Sequence, residues 1–267
     1  MNFTFATQIA FPGLGIKAFN INPVAFEIFG KEIYWYGIII ATGLILAYLW
    51  ALSQANRENI KSDTLIDLII VGLPAAIICA RIYYVIFSWD SYKNNLADIF
   101  KIWEGGIAIY GAVIGAFVAG FIYCKVKKLS FYKITDIAAP CFLIGQAVGR
   151  WGNFVNVEAY GSQTDLPWRM LIVDENISVH PTFLYESLWN VAGFVILAFL
   201  SKKKPFEGFI FYMYLLWYGL GRVWIEGLRT DSLMLGNLRI SQLVATVCII
   251  FSIATIILKW KNDKVKF

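Results

Sequence analysis

The sequence predicts an all-α membrane protein of about seven spanning helices, and three observations carry that prediction. The chain is oily: of its 267 residues 59% are hydrophobic and only 15% charged, with a mean hydropathy of +0.64, more than soluble domains carry. Apolar runs recur along it, each close to the ~20 residues that cross about 30 Å of hydrocarbon. Lysines and arginines cluster in every second gap between those runs, the pattern of orientation signals.

The runs are 34–52, 65–87, 106–124, 134–149, 183–200, 208–224 and 240–258. The first opens on Tyr34, Trp35 and Tyr36, rings suited to the membrane–water interface. The second carries Arg81 inside LPAAIICARIYYVIF, a charge that needs a buried partner or a lipid headgroup. In the third, Gly111, Gly115 and Ala119 form a small-residue stripe for close helix packing. The fourth is short and ends in the polar stretch GQAVGRWGNFVNVEAYG. The fifth is entered through His180-Pro181, with proline tolerated in a first helical turn. The sixth contains charge, and the seventh leads into a basic tail.

Orientation follows from the clusters Arg57 and Lys61; Lys125, Lys127, Lys128 and Lys133; Lys202 to Lys204; and Lys259, Lys261, Lys264 and Lys266. Basic loops stay cytoplasmic, so the N-terminus and the 88–105, 150–182 and 225–239 segments are expected outside, and the C-terminus inside. The net charge of +5 is thereby absorbed as topology, and no nucleic-acid partner is expected. Pro12, Gly13 and Gly15 interrupt the first residues, which lack a basic n-region, so no cleaved signal peptide is expected. Residues 1–267 are read as a single integral membrane domain. Cys79, Cys124, Cys141 and Cys248 sit in or beside apolar runs without ligand spacing, and there is one histidine. Buried thiols, with no metal and no cofactor, are the reading.

On this topology the polar residues that need explaining gather at the outer level. Arg150 and Asn153 share a helix face, being three apart. Asn156 and Glu158 follow on a loop able to fold back. In FYMYLLWYGLGRVWIEGLRTD, Tyr218, Arg222 and Glu226 recur every fourth residue, with Arg229 three further on. An Arg222–Glu226 pair with apolar flanks is poorly solvated and needs a reason to persist. An arginine fork matches phosphate oxygens bidentately, so these clusters read as an anion-binding or catalytic site, against the plainer readings of a capping and loop-fixing network at 145–161 and a self-neutralising pair at Arg222 and Glu226. Tyr110 is a phenol near the outer end of its helix, more acidic if an arginine lies beside it. His180 reads either as a base or as a structural hydrogen bond to the loop, braced by Tyr185 and Glu186.

GRWGNFVNVEAYG, YWYG at 34–37, Arg81, WEGGIAIYG at 103–111, HPTFLYE at 180–186 and YGLGRVWIEGLR at 218–229 together resemble the bacterial phosphatidylglycerol–prolipoprotein diacylglyceryl transferase family. The resemblance implies transfer of the sn-1,2-diacylglyceryl group of phosphatidylglycerol to the lipobox cysteine thiol of a prolipoprotein, releasing sn-glycerol-1-phosphate. It implies a multi-pass enzyme of the bacterial cytoplasmic membrane with an outward-facing site, expected as a monomer, whose partners are the lipid, the prolipoprotein signal peptide and the bilayer. Arg150, Asn153 and Glu158 match signature positions, and Tyr36, Tyr218, Arg222 and Glu226 match polar positions around the headgroup. Many members carry histidine where this chain has Tyr110. Arg150, Arg222, Tyr110, Glu158 and Asn153 are therefore the expected catalytic set, and Tyr36, Arg81, Asn156, Tyr218, Glu226, Arg229 and His180 the substrate-binding set. The rival reading, a transporter of an anionic solute, calls for polar residues continuing through several spans; here they cluster near one side. A metal-dependent phosphatidyl transferase calls for grouped aspartates, which the sequence lacks.

Overall fold

The computed structural model describes residues 7–230, 234–236 and 238–264; Lys266 of the basic tail lies outside them. Seven long helices coincide with the seven runs: α1 (Trp35–Arg57), α2 (Ser62–Phe87), α4 (Ile109–Val126), α5 (Phe131–Val155), α6 (Thr182–Leu200), α7 (Phe209–Leu228) and α8 (Ile240–Lys264), with a one-turn α3 (Trp89–Tyr92) after α2. Five of them, α1, α2, α4, α6 and α8, are long and apolar enough to cross a membrane. The other two, α5 and α7, run 25 and 20 residues and carry the charged residues singled out above.

The chain is mostly helical, and the all-α expectation needs correcting, because eight short strands lie among the described residues. β1 (Thr7–Phe11), β2 (Ile16–Ile21), β5 (Met170–Ile172) and β6 (Ile177–Val179) make a sheet in the order β2-β1-β5-β6. β3 (Val24–Ile28) and β4 (Lys31–Tyr34) form a hairpin that runs straight into α1, and β7 (Met234–Leu235) pairs with β8 (Leu238–Arg239) just before α8. Strands of two to six residues leave too short an alternation to register beside spans of about twenty.

The molecule divides into two compact units. The first comprises residues 1–50 and 135–267. Its helices pack through a core of Ala139 and Leu143 from α5, Leu197 from α6, and Phe209, Ile210 and Tyr214 from α7. At one end of this core Asp136 is buried and caps α7: its carboxylate accepts from the Gly208 and Phe211 amides at 2.9 and 3.1 Å, with Lys204 Nζ 3.3 Å away. A carboxylate there satisfies amides that have no partner within the helix and suits its positive end. At the other end lies the four-stranded sheet. Ile9, Ile21, Met170, Ile172 and Val179 pack with Phe183 of α6 and Phe154 and Val155 of α5, so the sheet holds those two helix ends in place.

The second unit, residues 51–134, packs α2 against α4, and Arg81 gathers the loop between them. This buried guanidinium donates Nε to Ile99 O at 2.8 Å, Nη1 to Gly105 O and Gly106 O at 2.7 Å each, and Nη2 to Asp98 O at 2.6 Å. Tyr92 lies under it, 5.0 Å from ring centre to Cζ. The loop accommodates this because Gly105 and Gly106 adopt φ of 92° and 74°, and a Cβ on Gly106 would collide with the Arg81 fork.

Candidate active site

The first unit brings the arginines together on one carboxylate. Glu186, in the first turns of α6 and buried, sits 2.7 Å from Arg150 Nη2 of α5, 3.6 Å from Arg222 Nη1 of α7 and 3.4 Å from Arg229 Nη1 just past α7. A second buried carboxylate, Glu226, pairs with Arg222 Nη2 at 2.8 Å and accepts from Ser241 Oγ of α8 at 2.6 Å. Arg239 donates to the backbone carbonyls of Glu226 and Arg229. Three guanidinium groups thus meet two buried carboxylates, a surplus of one positive charge, with Arg239 held beside them on main-chain carbonyls. Away from water such a surplus is stabilised by an anion, and arginine forks select one with planar, bidentate oxygens.

A relay of amides continues from Arg150. Its Nη1 donates to Asn153 Oδ1 at 3.1 Å, Asn153 Nδ2 donates to Glu158 Oε1 at 2.8 Å, and Asn156 Nδ2 reaches the same oxygen at 3.5 Å. The three-residue spacing of Arg150 and Asn153 works as expected because α5 stays helical to Val155. Glu158 then folds back across a strained turn: Val157 and Ala159 on either side have φ of 52° and 56°. Left-handed backbone costs roughly 1–2 kcal/mol per non-glycine residue and concentrates where a side chain has to be aimed. Tyr36 of α1 lies against Gly152 of α5, where a Cβ would stand 2.7 Å from its ring. Tyr218 and Tyr214 stack on α7 with centroids 6.0 Å apart, and Gln146, one turn before Arg150, donates to the Tyr214 hydroxyl at 3.1 Å.

His180 stands at the entry to α6. Its Nδ1 is 3.3 Å from the Tyr185 hydroxyl, which accepts from Trp168 Nε1 at 2.7 Å. Thr182 Oγ1 donates to Ala159 O at 2.6 Å, and Gly161 and Ser162 pair through their backbones with His180 and Leu228. This mesh ties the loop after α5 to the start of α6 and the end of α7. Burial pushes the His180 ring below its ordinary 6.5. As pH falls below about 6.5 the unfolded chain therefore takes up a proton at this ring before the folded one does, and stability is lost in the window just beneath that value. Between about pH 8 and about pH 5.5, the melting temperature of the native protein should fall further than that of His180→Gln; equal falls would refute the assignment.

Of the sequence-predicted residues, Arg150, Asn153, Asn156, Glu158, Tyr36, Tyr218, Arg222, Glu226, Arg229 and His180 all lie in the first unit. Tyr110 and Arg81 lie in the second. Tyr110 opens α4 with its ring 6.4 Å from that of Tyr83; Arg81 gives four of its five N–H donors to the carbonyls named above. Sequence reasoning missed the hub. Glu186 read as a brace for His180, whereas an acid inside an apolar helix was itself the signal. Arg239, Ser241 and Gln146 were also passed over, because their partners come from distant segments.

A mostly helical protein with five membrane-length apolar helices, sheltering arginines around shared carboxylates, is the class that fold and site define. The prolipoprotein diacylglyceryl transferase family model matches residues 23–258. The chain is 47% identical over 248 residues to the phosphatidylglycerol–prolipoprotein diacylglyceryl transferase of Listeria welshimeri, covering 89% of each chain. It is 49% identical to the proteins of the same name from Clostridium novyi, covering 89% of this chain and 95% of that one, and from Finegoldia magna, covering 92% and 98%. The chain belongs to the prolipoprotein diacylglyceryl transferase family.

Proposed function

We propose that the protein transfers the sn-1,2-diacylglyceryl group of phosphatidylglycerol to the lipobox cysteine thiol of a prolipoprotein, and that the arginine cluster around Glu186 binds the lipid phosphate. That cluster is the observation that carries the reading, together with family membership. Phosphatidylglycerol presents a phosphodiester of single negative charge; the leaving sn-glycerol-1-phosphate is a monoester approaching two. A cluster with positive charge to spare therefore favours the departing group over the bound lipid, which is how binding becomes catalysis.

In the reaction the cysteine sulfur forms a bond to the glycerol C3 carbon as the C–O bond to phosphate breaks, the electron pair leaving with the phosphate oxygen. The thiol proton goes to a base, since a thiol with pKa of about 8.5 is mostly protonated near neutrality. Arg150 and Arg222 take the phosphate charge, Arg229 completes the clamp, and Glu186 and Glu226 hold the forks in position. Asn153, Asn156 and Tyr36 orient the headgroup, with Tyr218 lining the α7 side. Glu158, joined to Arg150 through Asn153, is the base this reading puts first, with Tyr110 the other candidate.

The same reading makes all seven helices spans of the bacterial cytoplasmic membrane, with the N-terminus and the arginine site outside and the C-terminus inside. Residues 1–267 then act as one integral membrane domain, as a monomer without cofactor. Alternation of the basic loops supports that orientation.

The test uses purified protein in detergent, phosphatidylglycerol and a lipobox peptide, following glycerol phosphate release and the peptide's mass gain. Native protein should form the thioether product, and Arg150→Ala should lose at least about a hundredfold in rate, as removal of a transition-state charge partner does. Glu158→Gln and Tyr110→Phe separate the two candidate bases. Well-folded native protein that yields no thioether product would sink the reading.

A further inference from the structure

Helices α6 and α7 carry a reciprocal tryptophan clasp beside the arginine cluster. Trp189 Nε1 donates to Trp217 O at 3.1 Å and Trp217 Nε1 donates to Trp189 O at 3.0 Å, with the two indoles stacked 4.4 Å apart at 20°. Each ring also covers a glycine of the opposite helix: a Cβ on Gly221 would run into the Trp189 indole, and one on Gly193 into that of Trp217. The two halves are equivalent under a shift of 28 residues, Trp189 to Trp217 and Gly193 to Gly221. Rising numbers on α6 meet falling numbers on α7, so the helices are antiparallel and the clasp is a local dyad between them.

Between apolar helices in lipid there is no hydrophobic force to set register, and packing with interhelical hydrogen bonds does that work. A slide of one residue, about 1.5 Å, would break both indole bonds at once and drive each ring against a Cβ-bearing neighbour. The clasp is therefore a sharp register lock. Its members adjoin the site in sequence: Trp189 lies one turn after Glu186 on α6, and Gly221 immediately precedes Arg222 on α7. Glu186 and Arg222 stand 3.6 Å apart, the longest of the Glu186 ion pairs, so a small slide decides whether that pair exists.

We propose that the Trp189–Trp217 clasp is a positioning device for the transferase site, setting the α6–α7 register that lets Glu186 share arginines from two helices. This rests on the proposed reaction for its catalytic consequence, but not for its geometry. The test is a double-mutant cycle on thermal unfolding in detergent with Trp217→Phe, Glu186→Gln and the double variant, with near-ultraviolet circular dichroism to read the stacked indoles. Trp217→Phe keeps a ring and loses the N–H; it should abolish the indole couplet, and the double variant should lose clearly less than the sum of the two single losses. In the transfer assay Trp217→Phe should lower kcat about tenfold with KM for phosphatidylglycerol within about twofold, the mark of geometry lost rather than binding lost. Asp136→Asn, at the far end of α5, is the stability control and should leave both constants near native. Additive losses in the cycle, or a kcat loss in Asp136→Asn equal to that of Trp217→Phe, would reduce the clasp to ordinary packing and overturn the proposal. An inactive native protein would overturn the proposed reaction alone, and the unfolding cycle would still decide the clasp.

Discussion

Replacing Glu186 by glutamine should cost the protein about a hundredfold or more in diacylglyceryl transfer, with a fall in melting temperature, even though the side chain keeps its size. Three guanidinium groups approach this carboxylate, at 2.7, 3.4 and 3.6 Å. Without its charge they repel one another in a buried setting where breaking an ion pair typically costs about 3–5 kcal/mol. The clamp then spreads, and misplacement of about 1 Å in a reacting constellation is enough for a hundredfold loss. Glu186→Asp keeps the charge on a shorter stem and should recover part of the rate. Glycerol phosphate release by the three proteins, compared at equal folded concentration, checks this; a glutamine variant within threefold of native would mean the arginines do not depend on their hub.

The second large effect belongs to Arg81. Arg81→Met should destabilise the 96–106 loop by roughly 3 kcal/mol, because four backbone carbonyls lose a charged donor and a buried unmade bond costs about 1–3 kcal/mol before the loop relaxes. Arg81→Lys should fall between, since an ammonium offers three donors from one point and cannot reproduce a planar fork. Hydrogen exchange read by peptide mass should show residues 96–106 opening in the methionine variant, while α6 and α7 keep native protection. Unchanged exchange in that loop would show that Arg81 is not its organiser. The headgroup contact entertained from the sequence would instead predict a change in lipid affinity with the loop intact.

The two cases show what the sequence made legible and what it did not. Helix positions were readable because hydropathy is a local property: all seven long helices overlap their predicted runs. Pairs along one helix were readable for the same reason. Arg222–Glu226 at i,i+4 and Arg150–Asn153 at i,i+3 both make the contact that helical geometry allows. Glu186 was misjudged because its partners reside on α5, on α7 and past the end of α7, and no spacing rule joins them. The sheet was missed because β1 and β5 are separated by about 160 residues of chain, so their pairing of Ile9 with Ile172 leaves no local trace. Arg81 stood out at once as a charge in an apolar run, but its acceptors are main-chain carbonyls, which every residue owns and no sequence advertises.

The Asp136 cap bears on the order in which the molecule can be made. Translation delivers α5 before α7, so Asp136 emerges 72 residues ahead of Gly208 and 75 ahead of Phe211, whose amides it will hold. Until they arrive its carboxylate has no protein donor to replace water, and desolvating it is prohibitive. The start of α5 is therefore kept at the aqueous boundary until the head of α7 has been synthesised. Only when the lysine turn and the head of α7 reach it can that carboxylate be enclosed, so closure of this end of the unit waits on residues 204–211.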